Sequence, residues 1–204
     1  MELDHILLAV RDLDRAAEQL EREHGLSSYV GGNHPRWGTG NRIVPLGDSY
    51  LELIAVVDQD TAVATDIGRW VANGASTTGA PIGWAVRPGD LDATVERLAM
   101  TAFEGSRERP DGTMVRWRMA GIERAFVNPE LPWFIEWSDQ ATYPGAADPV
   151  DARVVRIELE GSRTALDDWL GQHSLPLDVR DGAAGVVAVE IDGPRSALTL
   201  SRGA

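Results

Sequence analysis

Apolar and polar positions follow the same order in two stretches of the chain. Residues 3–14 align without a gap with residues 81–92, and in both an apolar run of strand length leads into a polar helix start. Each copy continues to an apolar segment that carries a single glutamate, Glu52 in the first and Glu136 in the second. The pattern therefore predicts a unit of strand, helix and two or three further strands, present twice.

The spacing of apolar residues predicts the elements within each unit. In the first unit we expect a strand over 3–10, a helix that is capped by Asp12 and ends at Gly25, and a strand over 49–57. Further expected elements are a helix over 61–73, strands over 82–86, 114–119 and 133–137, a helix capped by Asp90, and a polar turn over 107–112.

Three segments divide the chain. We assign residues 1–79 to the first unit, 80–142 to the second and 150–204 to a C-terminal extension with a βαββ pattern, after a linker over 143–149. An extension of roughly 55 residues is marginal as an independent domain, so we expect it to pack on the other two units. The richness in strands favours an α+β fold with mixed sheets over a doubly wound parallel sheet.

The two glutamates point to a shared cavity. A carboxylate inside an apolar strand is costly unless it is paired or bound to something, and here one stands in each unit. If Glu52 and Glu136 face each other without a metal, repulsion and desolvation should raise one pKa, and Glu136 is then the candidate general base. An edge strand that faces solvent would explain either residue more simply.

Composition narrows the class of partner. The chain has 204 residues with a net charge of −13, which argues against nucleic acid and anionic membrane surfaces as partners. It has no cysteine, so no thiolate chemistry or disulfide is available. The acidic N-terminus does not resemble a signal peptide and no apolar run is long enough to span a membrane, so we expect a cytoplasmic protein with a small-molecule ligand.

The opening Leu-Asp-His-Ile and Asp-Leu-Asp of residues 3–14, the Tyr-Leu-Glu-Leu-Ile of 50–54 and the glycine-rich stretch 32–42 resemble one family. They are similar to the glyoxalase-like branch of the vicinal oxygen chelate (VOC) superfamily over roughly residues 3–138. The resemblance implies paired βαβββ modules that form a curved mixed sheet around a cavity. It leaves the oligomeric state open, and a homodimer would be additional to the cavity within one chain.

The resemblance also implies a metal-binding site. Metal-using members take one ligand from the first strand and one from the last strand of each module, which here gives His5, Glu52, Gly83 and Glu136. Gly83 has no side chain, so the implied set is His5, Glu52 and Glu136, able to hold a divalent metal such as Zn, Fe, Mn or Ni. The alternative is a metal-free pocket, in which His5 is an ordinary core histidine.

A mixed polar and aromatic loop is the candidate substrate-binding segment. Within residues 34–42, His34, Trp37, Asn41 and Arg42 combine groups that can stack on a planar ligand and hold a carboxylate or phosphate. A strand-connecting turn with solvated arginines is the simpler interpretation of the same residues.

Two functions remain open at this point. The first is a lyase, isomerase or dioxygenase that acts on a small organic substrate with vicinal oxygens, with metal assistance. The second is a metal-free small-molecule binding or sequestering protein of the bleomycin-resistance type, which the glycine at position 83 favours. An inert scaffold is a weaker third hypothesis, because a purely structural strand gains nothing from an internal glutamate.

Overall fold

Two copies of a strand-helix-three-strand module close into an eight-stranded barrel. The computed structural model describes residues 1–75, 81–139, 143–146 and 150–202. The first module contains β1 (Glu2–Ala9), α1 (Leu13–His24), β2 (Tyr29–His34), β3 (Thr39–Leu46) and β4 (Ser49–Val56). After α2 (Gln59–Val63) and α3 (Asp66–Gly74), the second contains β5 (Gly83–Arg87), α4 (Leu91–Arg97), β6 (Phe103–Glu108), β7 (Met114–Ala120), α5 (Ile122–Val127) and β8 (Trp133–Trp137).

The C-terminal segment forms a second, four-stranded sheet. It consists of β9 (Arg153–Glu160), α6 (Arg163–Leu170), β10 (Leu177–Arg180), β11 (Gly185–Asp192) and β12 (Leu198–Ser201), in the order β10-β9-β11-β12. The predicted α+β class with paired βαβββ modules around a cavity is confirmed, although the extension has one strand more than expected. The proposed domain boundaries at 79/80 and at 142, and part of the 143–149 linker, lie outside the described residues.

Strand pairing sets the first strands of the two modules side by side in the barrel wall. β1 pairs in parallel with β4 of its own module and antiparallel with β5 of the other. β5 pairs in parallel with β8, and β2 meets β6 where Asn33 faces Glu108. Residues on β1 therefore reach both modules. None of the helices in the described parts of the chain is long and apolar enough to cross a membrane.

The helix starts follow the polar residues that the repeat predicts. Asp12 accepts a hydrogen bond from the backbone N–H of Arg15, and Asp90 makes the same contact in the second module. Gly25 ends α1 with a φ of 74°, a conformation that glycine adopts without a steric penalty. Local capping thus explains why the two copies start their helices at equivalent positions.

The helix predicted over 61–73 is two helices. Asp58 caps α2 by accepting a hydrogen bond from the N–H of Thr61, and Thr65 caps α3 by accepting one from the N–H of Gly68. Thr65 lies within the predicted span and divides it, because its side chain caps the start of a second helix. The division lets α3 present Ile67 and Trp70 to the inside of the barrel.

Both faces of the barrel wall are apolar. The outer face packs against α1, α4, α6 and the C-terminal sheet. The buried cluster that joins them includes Ile6, Leu8, Leu20, Val44, Leu51, Leu53, Trp84, Phe134, Ile157, Leu166 and Val189. The inner face carries most of the aromatic side chains. A wall buried on both sides explains why these strands show long apolar runs instead of a strict alternation.

Trp169 of α6 holds the C-terminal segment on the barrel. Its ring lies 5.4 Å from that of Phe134 between centroids, and its Nε1 donates a hydrogen bond of 2.8 Å to the carbonyl of Pro132. Arg97 on α4 donates to the backbone carbonyls of Asp168 and Trp169. These contacts join the segment to the second module through aromatic packing, one buried hydrogen bond and two more accessible ones.

We expect Trp169→Ala to lower the free energy of unfolding by about 3–5 kcal/mol, because it removes a large buried side chain and its hydrogen bond. Urea unfolding followed by circular dichroism measures the change. Val127→Ala, at a position that is 76% exposed, serves as the control and should change stability by less than about 0.5 kcal/mol. An effect of Trp169→Ala no larger than that of the control would contradict the assigned role.

Candidate functional site

The barrel encloses a small cavity with aromatic walls. Its volume is about 50 Å³, room for a few water molecules. Its lining comprises His5, Leu7, His34, Trp37, Asn41, Tyr50, Glu52, Ile54, Ile67, Trp70, Arg107, Trp117, Met119, Ile122, Trp133, Ile135 and Trp137. Few polar groups face a mainly apolar space, an arrangement typical of small-molecule sites.

Glu52 and His5 meet inside this cavity. They lie on the parallel strands β4 and β1, with Leu7 opposite Glu52 in the register, and His5 Nε2 is 3.5 Å from Glu52 Oε2. The other carboxylate oxygen of Glu52 accepts a 2.6 Å hydrogen bond from Nδ2 of Asn41. The carboxylate is therefore buried but has two polar neighbours, which explains how an apolar strand tolerates it.

A second carboxylate orients His5 from behind. Asp4 is fully buried, and its Oδ1 lies 2.6 Å from Nδ1 of His5. An ionised carboxylate only accepts hydrogen bonds, so Nδ1 is the donor and Nε2 faces Glu52. The approach of Nε2 to Glu52 is longer than an ordinary hydrogen bond, and it places the imidazole and the carboxylate side by side in the cavity.

The remaining contacts of His5 and Asp4 fix their geometry. The ring of His5 stacks on Tyr50 at 4.8 Å and meets the edge of Trp133 at 5.2 Å between centroids. Asp4 Oδ2 also accepts hydrogen bonds from Nε1 of Trp137 at 2.9 Å and from Nη1 of Arg87 at 3.0 Å. A register shift between Leu3 and His5 in the β1–β5 pairing accompanies this arrangement.

His34 lies in the same cavity as an uncharged imidazole. Its Nδ1 is 3.1 Å from Oγ1 of Thr39, and its ring packs against Trp37 and Trp117. Burial disfavours the charged form and lowers the pKa of His34 to about 4, against a smaller opposing effect of Glu52. At neutral pH His34 can therefore act as a hydrogen-bonding group but carries no charge.

Arg107 is a site residue that the sequence analysis missed. It was assigned to a polar turn, but it lies in β6, is 2% exposed and lines the cavity. Its Nη1 donates to the carbonyl of Gly31, and burial lowers its pKa from the usual value. Phe103, Gly105 and Arg107 alternate with exposed residues, a signal that only a strand assignment for 103–108 could have revealed.

Glu136 lies outside the cavity, so the prediction that the two glutamates face each other is wrong. Its side chain is 43% exposed and forms an ion pair with Arg118 across the β7–β8 pairing. Strand alternation turns Trp133, Ile135 and Trp137 inward and Glu136 outward. The two glutamates, although similarly placed in the sequence repeat, thus lie on opposite faces of the barrel wall.

The candidate loop is divided in the same way. His34, Trp37 and Asn41 line the cavity, as expected for a substrate-binding set. Arg42 does not, because it follows Asn41 on β3 and points to the outer face, where it pairs with Asp14 at 2.9 Å and donates to Ser28. It therefore cannot hold a ligand inside the barrel.

The side chains do not fit the implied metal. Of His5, Glu52 and Glu136 only the first two come together, and the described residues contain no group of three or more His, Asp or Glu placed to hold an ion. At Gly83, a Cβ would lie within about 3 Å of the indoles of Trp70 and Trp133. The place of the missing ligand is thus filled by apolar rings.

A second pocket lies beside the cavity and opens to solvent. It has a volume of about 270 Å³ and shares three lining residues with the cavity, Trp37, Ile67 and Ile122. The two spaces are therefore adjacent at these three side chains, which a ligand passing from the pocket to the cavity would contact.

Because the pKa of His34 is lower in the folded protein than the ordinary value, we expect protonation to favour unfolding. The contribution is fully present above about pH 6.5 and is lost as the pH falls toward about 4, on the order of 3 kcal/mol in all. Urea unfolding between pH 4.5 and 7.5 should show this slope in the native protein and a shallower one in His34→Gln. Equal slopes in the two proteins would contradict it.

Comparisons with known proteins agree with this architecture. The sequence matches the family profile described as Glyoxalase-like domain over residues 3–197. No curated protein matches the sequence. A hypothetical protein from Staphylococcus aureus, 14% identical, superposes with a TM-score of 0.67 over 98% of this chain and 86% of that one.

A methylmalonyl-CoA epimerase variant from Streptomyces coelicolor, in complex with 2-nitronate-propionyl-CoA, is also similar. It is 19% identical, with a TM-score of 0.50 over 70% of this chain and 97% of that one. At these identities the likeness concerns the fold alone. The family match, in contrast, spans both modules and most of the C-terminal sheet. The resemblance seen in the sequence is thus confirmed, and the chain belongs to the Glyoxalase-like domain family of the VOC superfamily.

Proposed function

We propose that this protein is an enzyme of the isomerase or lyase type that moves a proton on a small organic substrate bound inside the barrel. The observation that carries the proposal is the contact between Glu52 and His5, 3.5 Å apart within an aromatic cavity. A carboxylate next to an imidazole that is itself held by a second carboxylate is an arrangement suited to general acid–base chemistry.

The two residues would share the proton transfer. Glu52 accepts a proton from the carbon next to a substrate carbonyl, and the electron pair of that C–H bond passes to the carbonyl oxygen. His5, held by Asp4, supplies a proton to the developing oxyanion or returns one to carbon. No atom is oxidised or reduced in sum, so the chemistry needs only the two side chains and the substrate.

The walls of the cavity favour this chemistry. The indoles of Trp117, Trp133 and Trp137 keep bulk water away from Glu52, so that its interaction with a developing charge is stronger than in water. Asn41 keeps the carboxylate in place through its 2.6 Å hydrogen bond. Because His5, Glu52 and Glu136 do not come together as metal ligands, the proposed step uses protein side chains alone.

The aromatic lining also supports a second candidate function, metal-free binding and sequestration of a small planar molecule. Five tryptophans face the cavity, and such rings bind planar ligands by stacking. The two functions differ in one respect: a sequestering protein needs the aromatic walls but not the acid–base pair of His5 and Glu52.

The test is solvent exchange at carbon. We expect the protein to catalyse deuterium incorporation from D₂O into at least one compound of a panel with vicinal oxygens, such as glycolaldehyde, hydroxyacetone, lactate and pyruvate, followed by NMR. Glu52→Gln should slow that exchange at least ~100-fold, because the amide cannot act as the base, while binding measured by tryptophan fluorescence persists.

Glu136→Gln is the matched control, since it makes the same substitution on the outer face of the barrel and should leave the exchange rate unchanged. Exhaustive chelation before the assay should also leave the rate unchanged. Exchange that is equally fast in Glu52→Gln, or panel compounds that bind without any exchange, would overturn the enzymatic proposal; the second result would support sequestration.

A further inference from the structure

We propose that Arg107 anchors the carboxylate of the ligand, so that the cavity takes a small monocarboxylate with an oxygen on the neighbouring carbon. This inference rests on the proposed function, whose substrate class it names. Arg107 lines the same cavity as Glu52 and is almost completely buried. Its role is not explained by the proton transfer or by the fold.

The guanidinium of Arg107 lacks the partners that a buried cation needs. Nη1 donates to the carbonyl of Gly31, but Nη2 is buried with no hydrogen-bond partner. Among the ion pairs of the described residues, none includes Arg107. A buried cation with no carboxylate in direct contact is unfavourable, so its retention in the cavity points to an anion that completes it on binding.

The charged and titratable groups around Arg107 allow only a weakly charged anion. The acidic groups near Arg107 are the carboxylate of Glu52 and the phenols of Tyr29 and Tyr50. Arg109 is a second cation nearby. Arg107 is the single arginine in the cavity lining, within the part of the chain that the structure describes. One cation facing one carboxylate fits a monoanion, whereas a phosphate with nearly two negative charges would repel Glu52.

An unsatisfied acceptor next to Arg107 indicates what else the ligand carries. Oδ1 of Asn41 is buried without a partner, while Nδ2 of the same amide is bound to Glu52. A Cβ on Gly31 would clash with Asn41 Oδ1 and lie 2.9 Å from Arg107 Nη1, so the two groups are neighbours beside the Gly31 backbone. Both side chains also line the cavity, where a carboxylate could meet Arg107 while an adjacent hydroxyl donates to Asn41.

The size of the cavity agrees with this class of ligand. A volume of about 50 Å³ leaves room for a molecule of few heavy atoms unless the walls move. A 2-hydroxy acid of three carbons places its carboxylate and its hydroxyl on neighbouring carbons. It therefore offers an acceptor to Arg107 and a donor hydroxyl to Asn41, with its C2 hydrogen free to face Glu52 and His5.

The experiment compares acids with their neutral amides. Lactate and pyruvate are titrated against lactamide and pyruvamide at pH 7, by isothermal titration calorimetry and ligand-observed NMR. In the native protein we expect at least one acid to bind at least ~30-fold more tightly than its amide, because only the acid pairs with Arg107. Amides that bind as tightly as the acids would overturn the proposal.

Three variants test the residue itself. Arg107→Met should remove the preference for acids, and Arg107→Lys, which keeps the charge but not the planar fork, should weaken acid binding roughly tenfold. Arg116→Met removes an exposed arginine from β7 and should leave the preference intact. A preference that survives Arg107→Met would also overturn the proposal.

Stability measurements separate a ligand site from a structural role. Replacing a buried charge that has no counter-ion by an apolar side chain of similar length should not lower the melting temperature. If Arg107→Met is strongly destabilised and its acid preference is unchanged where it folds, Arg107 is structural. Should Arg107→Met fail to fold, the result for Arg107→Lys decides, since unchanged acid binding in that variant contradicts the anchor.

The outcomes also distinguish this inference from the proposed function. If neutral compounds undergo exchange that depends on Glu52 and no acid binds, the role of Arg107 as a carboxylate anchor is contradicted and the proposed proton transfer is supported. Acids that bind through Arg107 but undergo no exchange dependent on Glu52 would support the anchor and remove the proton transfer.

Discussion

The site depends on one buried carboxylate, that of Asp4. Its oxygens meet His5, Trp137 and Arg87, which belong to β1, β8 and β5. A carboxylate with no exposed surface is stable only with such a set of donors, so the three strands must keep their relative positions wherever Asp4 stays ionised. The orientation of His5, and with it the contact to Glu52, follows from this constraint.

The two modules meet near Asp4 because their first strands, β1 and β5, pair with each other in the barrel wall. β1 carries Asp4 and His5, and β5 runs beside it with Gly83 and Arg87. A side chain at position 83 would collide with Trp70 and Trp133, so the second module provides space and aromatic rings where the first provides an imidazole. The two modules thus share a backbone fold but place different side chains at equivalent positions in the cavity.

The sequence was sufficient for the modules, the helix caps and the first half of the site. Asp12 and Asp90 announce equivalent helices, and His5 and Glu52 stand on predicted strands whose parallel pairing brings them together. The position of Glu136 could not be obtained by aligning the copies, because a strand turns alternate residues to opposite faces and a small difference in register reverses the outcome. By strand register the counterpart of Glu52 is Trp133, because Leu7 faces Glu52 and the equivalent Ala85 faces Trp133.

Arg107 escaped prediction for a different reason. Charged residues near Gly and Pro are usually solvated turns, and the stretch around 107–112 has that composition. Only the pairing of β6 with β7, which sets Arg107 opposite Val115, shows that the side chain shares a face with Trp117. The register of this hairpin therefore determines that Arg107 belongs to the cavity.

Trp37, Ile67 and Ile122, which line both the cavity and the neighbouring pocket, bear on the kinetics of binding. For a ligand that enters from the pocket past these side chains, the rates of entry and release depend on their rearrangement. The residence time of such a ligand then depends on these three side chains. A substitution at one of them could alter turnover without changing a residue that takes part in the reaction.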